Sequence, residues 1–297
     1  MISQIQRFYK EIVLKLRQIY SAEEAQAIAD RLFEHFFGLT PARRIISNFL
    51  VVDEALKLAA EKAVGQLLNH VPLQYVLGKA WFMDMEFDVN PSVLIPRPET
   101  EEMVGLILKQ YSAARSVTTQ NILDIGTGSG CIAIALKHFL PGVNITAIDI
   151  SAEALHVAKT NAEKNKVEIS FHRIDILDQS QWEYLPQFNL IVSNPPYVTQ
   201  ADKQHMQPNV IDHEPHTALF VEDEDPLIFY RTIAAFAKDK LTENGCLWFE
   251  INESFGEETA NLIADQGFSK VNIIFDFRGK SRFLQCFNTK SILIKSY

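Results

Sequence analysis

From Asn121 onward the chain alternates between short apolar runs of strand character and longer segments of helical period. The runs fall at 121–125, 144–149, 168–173, 188–193, 246–251, 271–277 and 282–287. Helical segments are expected between the first five runs, and another before the sixth. Parallel neighbours need a crossover, and a helix is the usual one, so this pattern closes as a mostly parallel sheet with helices on both faces. Only a short connection, FRGKS, joins the last two runs, so these pair antiparallel. The expected fold is α/β: a doubly wound, seven-stranded sheet with its last strand antiparallel.

The first seventy residues differ. Ser21 followed by Glu24 is a capping pattern, and Ala25, Ile28, Leu32, Phe33 and Phe36 recur behind it at helical spacing. Thr40-Pro41 starts another helix. Leu56, Ala59, Ala63, Val64, Leu67 and Leu68 form a further stripe that stops before Pro72. A small helical domain, 1–72, is expected. It is either a core and nothing more or a docking module, for which the Phe33, Phe36 and Phe37 cluster, some of it necessarily core, and the domain's surface charges are candidate contacts. In WFMDMEFDVN, residues Trp81, Met83, Met85, Phe87 and Val89 alternate with Phe82, Asp84, Glu86 and Asp88, a period of two. With QYVLG before it, across Gly78, this reads as a hairpin link, 73–95. The sheet domain then takes 96–297.

Composition excludes several classes. Hydrophobic residues make up 47%, too many for a disordered chain. The net charge of −9 argues against a non-specific nucleic-acid binder, which must neutralise phosphates. No run approaches the roughly 18 apolar residues of a spanning helix, and the N-terminus lacks a signal-peptide core. These readings place the chain in the cytoplasm, away from membranes. Cys131, Cys246 and Cys286 are far apart in apolar surroundings, as reduced core cysteines are. The eight His show no metal-ligand spacing, so no metal site is expected.

In doubly wound sheets, ligands bind beyond the carboxyl ends of the strands. The first run, NILDI, leads into Gly126-Thr127-Gly128-Ser129-Gly130 and then a helix. That turn is either a nucleotide or nucleoside site or simply a tight turn. Asp149 ends the second run about twenty residues later. There a carboxylate accepts from both hydroxyls of a ribose, or else caps the next helix. Asp175 follows the third run, where it faces an adenine amino group or is a plain loop residue. Between Pro96 and Pro98 the backbone around Arg97 is stiff, so Arg97, Glu99 and Thr100 either line a site or only begin a helix. A dinucleotide would use GxGxxG with its pyrophosphate at the helix N-terminus. The GxGxG here, preceded by Asp124, instead resembles the first motif of S-adenosylmethionine-dependent methyltransferases.

The fourth run ends in Asn194-Pro195-Pro196-Tyr197. Alone, this is a proline-stiffened turn. After the fourth strand of a GxGxG sheet it resembles the catalytic motif of methyltransferases acting on planar amino groups, whether a glutamine amide or the exocyclic amine of adenine or cytosine. An amide nitrogen is a poor nucleophile because its lone pair is delocalised. It must be held in line with the methyl–sulfur bond. The side-chain oxygen of Asn194 and the carbonyl of Pro195 supply two acceptors for its N–H groups, and Tyr197 is expected to pack on its flat face. Acceptors placed where the nitrogen becomes positive favour the transition state.

Through LIPRPETE (94–101), LDIGTGSG (123–130), Asp149, SNPPY (193–197), HEPHTAL (213–219) and FDFRGKSRF (275–283), the chain resembles the HemK-type protein-(glutamine-N5) methyltransferases of peptide chain release factors. The resemblance spans nearly the whole chain. It implies S-adenosyl-L-methionine held by Gly126, Thr127, Gly128, Ser129, Gly130, Asp149, Asp175 and Asn194. It implies a target glutamine held by Asn194, Pro195, Pro196 and Tyr197, with Arg97 and Thr100 as further substrate contacts. The implied partner is a release factor, with S-adenosyl-L-homocysteine as product, no direct nucleic-acid binding, and a monomeric enzyme. Ser129 stands where the family usually has Thr, and Ile176 where some relatives have an aromatic residue. The alternatives are a sister family acting on a ribosomal-protein glutamine, a nucleic-acid amino-methyltransferase, and a non-catalytic nucleoside-binding protein.

Overall fold

Caps and apolar stripes set the N-terminal helices. The computed structural model describes residues 4–46, 53–113 and 120–288. Helices α1 (Gln4–Leu16), α2 (Ala22–Phe37), α3 (Pro41–Ile46), α4 (Glu54–Leu68) and α5 (Leu73–Leu77) come first. Ser21 Oγ accepts the Glu24 N–H at 3.1 Å, and Asp53 caps α4 through Ala55 and Leu56. The stripes of α1, α2 and α4 share one core that includes Ile12, Leu16, Leu32, Phe33 and Leu67. Phe33 is fully buried, and Phe36 and Phe37 pack on the same core, so these aromatics serve packing rather than an outer surface. The exposed large apolar side chains here are others, among them Ile45, Ile46 and Leu58.

Two compact units divide the chain: Met1–Lys79 with Gln207–His213, and Ala80–Met206 with Glu214–Tyr297. The division falls at Lys79, past the expected boundary at 72 and before that at 95. No sequence pattern pointed to 207–213 joining the helical unit, where His213 Nε2 lies 3.1 Å from the Asn69 carbonyl.

The segment QYVL is α5 and not a strand. The carbonyl of Pro72 accepts from Tyr75 and Val76, and Gly78 ends the turn in the left-handed region. The hairpin is instead β1 (Lys79–Phe82) with β2 (Met85–Asp88). Its turn is Met83-Asp84, both with positive φ (51° and 60°). This two-residue turn breaks the expected continuous alternation: Phe82 is buried and Trp81 exposed, while Met85, Phe87 and Val89 are buried. Glu101 Oε1 accepts the Met83 N–H at 2.8 Å and secures the turn.

The second unit continues with α6 (Pro98–Ala113), β3 (Asn121–Ile125), α7 (Cys131–Phe139), β4 (Asn144–Asp149), α8 (Ala152–Lys164), β5 (Ser170–Arg173) and β6 (Phe188–Ser193). Two short helices follow, α9 (Pro208–Ile211), which belongs to the first unit, and α10 (His216–Leu219). Then come α11 (Ile228–Lys240), β7 (Leu241–Glu250), α12 (Gly256–Asp265), β8 (Ser269–Phe275) and β9 (Ser281–Phe287). Between β5 and β6 the expected α-helix is replaced by a 3₁₀ segment, Gln179–Tyr184. Among the described residues seven strands form one sheet, ordered β5-β4-β3-β6-β7-β9-β8. All neighbours are parallel except β9, which is antiparallel to both β7 and β8. The three cysteines are buried and unpaired.

The strand order reverses between β3 and β6. From β3 the chain runs outward through β4 and β5, then returns to place β6 on the other side of β3. The two loops leaving β3 and β6 therefore diverge and open a crevice. Those loops are GTGSG and NPPY.

Candidate active site

Register places the candidate residues in a row along the carboxyl edge. Ile125 pairs with both Ile148 and Ser193, and Ser193 with Phe249. One residue further along each strand stand Gly126, Asp149, Asn194 and Glu250. A cavity of about 350 Å³ lies over this edge, within the range of small-molecule sites. Gly126, Gly128, Asp149, Asp175, Asn194, Pro195 and Pro196 line it.

At one end, Asp149 is half-buried. Its Oδ2 accepts the Gly128 N–H and its Oδ1 the Ser151 N–H, each at 2.9 Å. Burial pushes its carboxyl above the usual range, and these N–H groups hold it back. A carboxylate has about four lone-pair sites, so each oxygen keeps capacity for another donor. Ile150, Ile174, Ile176, Leu177, Phe220 and Phe229 add apolar walls. Asp175 Oδ1 accepts the Leu177 N–H at 2.9 Å, as a loop aspartate does, while the residue also borders the cavity.

The glycine-rich turn divides its labour. Gly126 and Gly128 face the cavity, whereas Thr127 and Ser129 are turned inward and almost fully buried. Thr127 Oγ1 donates to Asp124 Oδ2 at 2.6 Å, and the Ser129 carbonyl accepts from Asn161 at 2.9 Å. The Thr127 side chain and the Ser129 carbonyl thus hold the turn in shape, and neither residue's hydroxyl lines the cavity. Gly130 caps α7 behind it.

At the other end, Asn194 Nδ2 donates to Thr100 Oγ1 at 3.1 Å. Thr100 is buried, so it reaches the cavity through Asn194 and not by touching a ligand itself. Its hydroxyl donates to Glu250 Oε2 at 2.6 Å, and the Tyr197 hydroxyl donates to Glu250 Oε1 at 3.1 Å. The Tyr197 ring packs on the core beneath the sheet, in contrast to the expected stacking on a substrate amide. Burial pushes its phenol well above the usual range, and the Glu250 charge adds to this. Arg97 is held at 2.6 Å by the buried Glu214, which ties PRPE to HEPHT.

A family model described as the methyltransferase small domain matches residues 104–217, and another, the PrmC N-terminal domain, matches 9–78. The chain is 41% identical to the release factor glutamine methyltransferase of Flavobacterium psychrophilum, over 95% of this chain and 98% of that one. It is 40% identical to the protein of the same name from Bacteroides thetaiotaomicron, over 91% and 95%. The chain belongs to the release factor glutamine methyltransferase family. The methyltransferase also shares its fold with a solved methyltransferase from Pyrococcus furiosus, at a TM-score of 0.52 and 17% identity, over 77% of this chain and all of that one.

Sequence reasoning missed two parts of the enzyme's site. Glu250 sits in the apolar run CLWFEI, where a lone acid at a strand end carries no motif. Phe229 and Ile233 come from α11, whose apolar stripe reads as ordinary core. For Glu250 the usable signal was a carboxylate in an otherwise apolar strand, since buried acids are seldom unpaired.

Proposed function

We propose that this enzyme methylates the side-chain amide nitrogen (N5) of the glutamine in the Gly-Gly-Gln motif of a peptide chain release factor, using S-adenosyl-L-methionine and releasing S-adenosyl-L-homocysteine. One observation carries the reading. Asn194 has its Nδ2 engaged by Thr100, which leaves Oδ1 as an acceptor at a cavity whose far end is Asp149.

The donors and acceptors present fit the cofactor. Asp149 keeps lone pairs for the ribose hydroxyls, Gly126 and Gly128 leave open space for close approach, and the isoleucines and phenylalanines suit a flat base. When bound, S-adenosylmethionine supplies an electrophilic methyl group on a sulfonium. The chain's own residues prepare the nucleophile. In this reading Asn194 Oδ1 accepts one N–H of the target amide and the Pro195 carbonyl the other. Both proline rings fix φ, so these acceptors lie on stiff backbone. As the nitrogen becomes positive the two bonds strengthen, which lowers the barrier more than it tightens binding. The extra proton leaves afterwards, so no strong base is needed.

The protein partner fits the acidic balance, and the reading makes the enzyme a cytoplasmic monomer that binds no nucleic acid directly. The test is Asn194→Ala. Single-turnover methylation of a purified release factor, followed by intact mass at saturating cofactor, should fall at least a hundredfold. A near wild-type rate would refute the amide-orienting role. A one-methyl gain on a ribosomal protein, with none on the release factor, would refute the substrate.

A further inference from the structure

Glu250 ends β7 beside Asn194 and is 1% exposed. Both of its oxygens accept hydroxyl protons, Oε2 from Thr100 and Oε1 from Tyr197. Its main-chain carbonyl accepts from Tyr230 at 3.2 Å. When ionised, the Glu250 carboxylate has no proton to give, so Thr100 must then be the donor between them. A hydroxyl has one proton. Having spent it on Glu250, Thr100 can only accept from Asn194, and a side-chain amide can meet an acceptor only with its nitrogen. The direction of each bond in the chain Asn194–Thr100–Glu250 thus follows from the charge at its end.

We propose that Glu250, acting through Thr100, sets which way round the Asn194 amide lies, and so keeps an acceptor, not a donor, at the reacting end of the cavity. Glu250 and Thr100 are positioning residues. The inference rests on the reading of Asn194 as the acceptor for the target amide. A reversed Asn194 would present Nδ2 to the N–H groups of the substrate, donor against donor.

Protonation of Glu250 undoes the arrangement. The acid can then donate to Thr100, and the Thr100 proton becomes available to Asn194 Oδ1. Burial raises the pKa of this carboxyl above the usual carboxylate range, and the hydrogen bonds from Thr100 and Tyr197 and the charge of Arg282 oppose the rise. The titratable and charged groups facing it are Glu99 on α6, Cys131 on α7, Tyr197 after β6, Tyr230 on α11 and Arg282 on β9. Methyl transfer at saturating cofactor should therefore decline as pH falls through the Glu250 pKa.

The experiment compares T100V, T100S, E250Q and N194A in the full chain, with a release factor as substrate. It reads single-turnover rates across pH and cofactor affinity by calorimetry. T100V should lose at least tenfold in rate with cofactor affinity within twofold of wild type, and T100S, which keeps the hydroxyl, should stay within threefold. E250Q should lack the acid decline of the wild type. A slow N194A beside a wild-type T100V would overturn the inference while leaving the role of Asn194 intact. So would equal losses in T100V and T100S, or an unchanged acid decline in E250Q. A wild-type rate in N194A would instead remove the reading on which the inference stands. If E250Q fails to fold, the Thr100 pair decides alone.

Discussion

Asn161 on α8 and Asp88 on β2 pair as two strand residues would. The Asp88 N–H donates to Asn161 Oδ1 at 2.7 Å, and Asn161 Nδ2 donates to the Asp88 carbonyl at 2.9 Å. The same Nδ2 reaches the Ser129 carbonyl in the glycine-rich turn at 2.9 Å. One fully buried amide thus joins the hairpin to the glycine-rich turn. Asn161→Ala would strand three main-chain groups. Each unsatisfied buried group costs about 1–3 kcal/mol, so urea denaturation should show a loss of at least about 2 kcal/mol. A loss under about 0.5 kcal/mol, as for an ordinary surface change, would contradict this role.

Two glycines of one turn should fail differently. Gly130 has φ +83°, and an added Cβ would meet Ile134 Cδ1 at 3.0 Å and Ala158 Cβ at 3.2 Å. Gly126 has φ +72° but nothing within 4 Å. Gly130→Ala combines backbone strain with overpacking and should cost about 2–4 kcal/mol of stability. Gly126→Ala should cost about 1–2 kcal/mol, from strain alone, yet weaken cofactor binding because its methyl enters the cavity. Thermal melts and calorimetry on both variants separate the two effects.

Asp149→Ala removes the acceptor for Gly128 and Ser151 together with the one assigned to the ribose. Hydrogen bonds to charged groups contribute about 1.5–3 kcal/mol, so affinity for S-adenosylmethionine should drop at least tenfold. Unchanged calorimetric affinity in the folded variant would take Asp149 out of the site.

Asp124 gives the enzyme a pH-dependent stability of definite sign. Burial pushes its carboxyl up to about 7, against the Thr127 hydroxyl and the Ala133 N–H, which hold it down; the Asp149 charge adds to the rise. An unfolded aspartate titrates near about 3.9. The fold therefore prefers the neutral acid. Its contribution is complete below about pH 4 and is lost as pH rises through about 7, by about 1.4 kcal/mol per unit of pKa difference. Urea midpoints between pH 4 and pH 8 should fall more steeply for wild type than for Asp124→Asn. Parallel curves would show that Asp124 is not the group responsible.

For the helical unit, we expect docking of the folded factor to use exposed apolar residues such as Ile45, Ile46 and Leu58. Charged substitution at a docking hot spot costs about 2 kcal/mol or more. Ile46→Asp with Leu58→Asp should therefore lower kcat/KM on a whole release factor at least tenfold. Activity on a short Gly-Gly-Gln peptide should stay unchanged. Equal effects on both substrates would make this unit a structural support.

The alternation of apolar runs is a local property, written into side chains two or three to four residues apart. That is why the sheet, its antiparallel last strand and the helical N-terminal unit were legible in the sequence. The glycine-rich turn, Asp149 and NPPY were legible for a related reason: each is a short motif at a strand end, and strand ends in this fold converge. Local pattern failed where a neighbour or a turn overrode it. QYVL became helical between Pro72 and the left-handed Gly78, and Met83-Asp84 took a left-handed turn that Asp84 tolerates but Met83 does not advertise.

Thr100, Asn194 and Glu250 lie 94 and 150 residues apart in the pairs that matter, in three segments that no spacing rule connects. Only strand order and register bring β6 beside β7, and α6 over both. Whether a hydroxyl faces a ligand or a carboxylate is likewise decided by burial, which left Thr127 and Ser129 inside and Asn194 at the cavity. The chain's residues determined what chemistry was on hand. Packing determined which atom of each residue points at it, because a buried hydrogen-bond chain has a direction that no linear pattern carries.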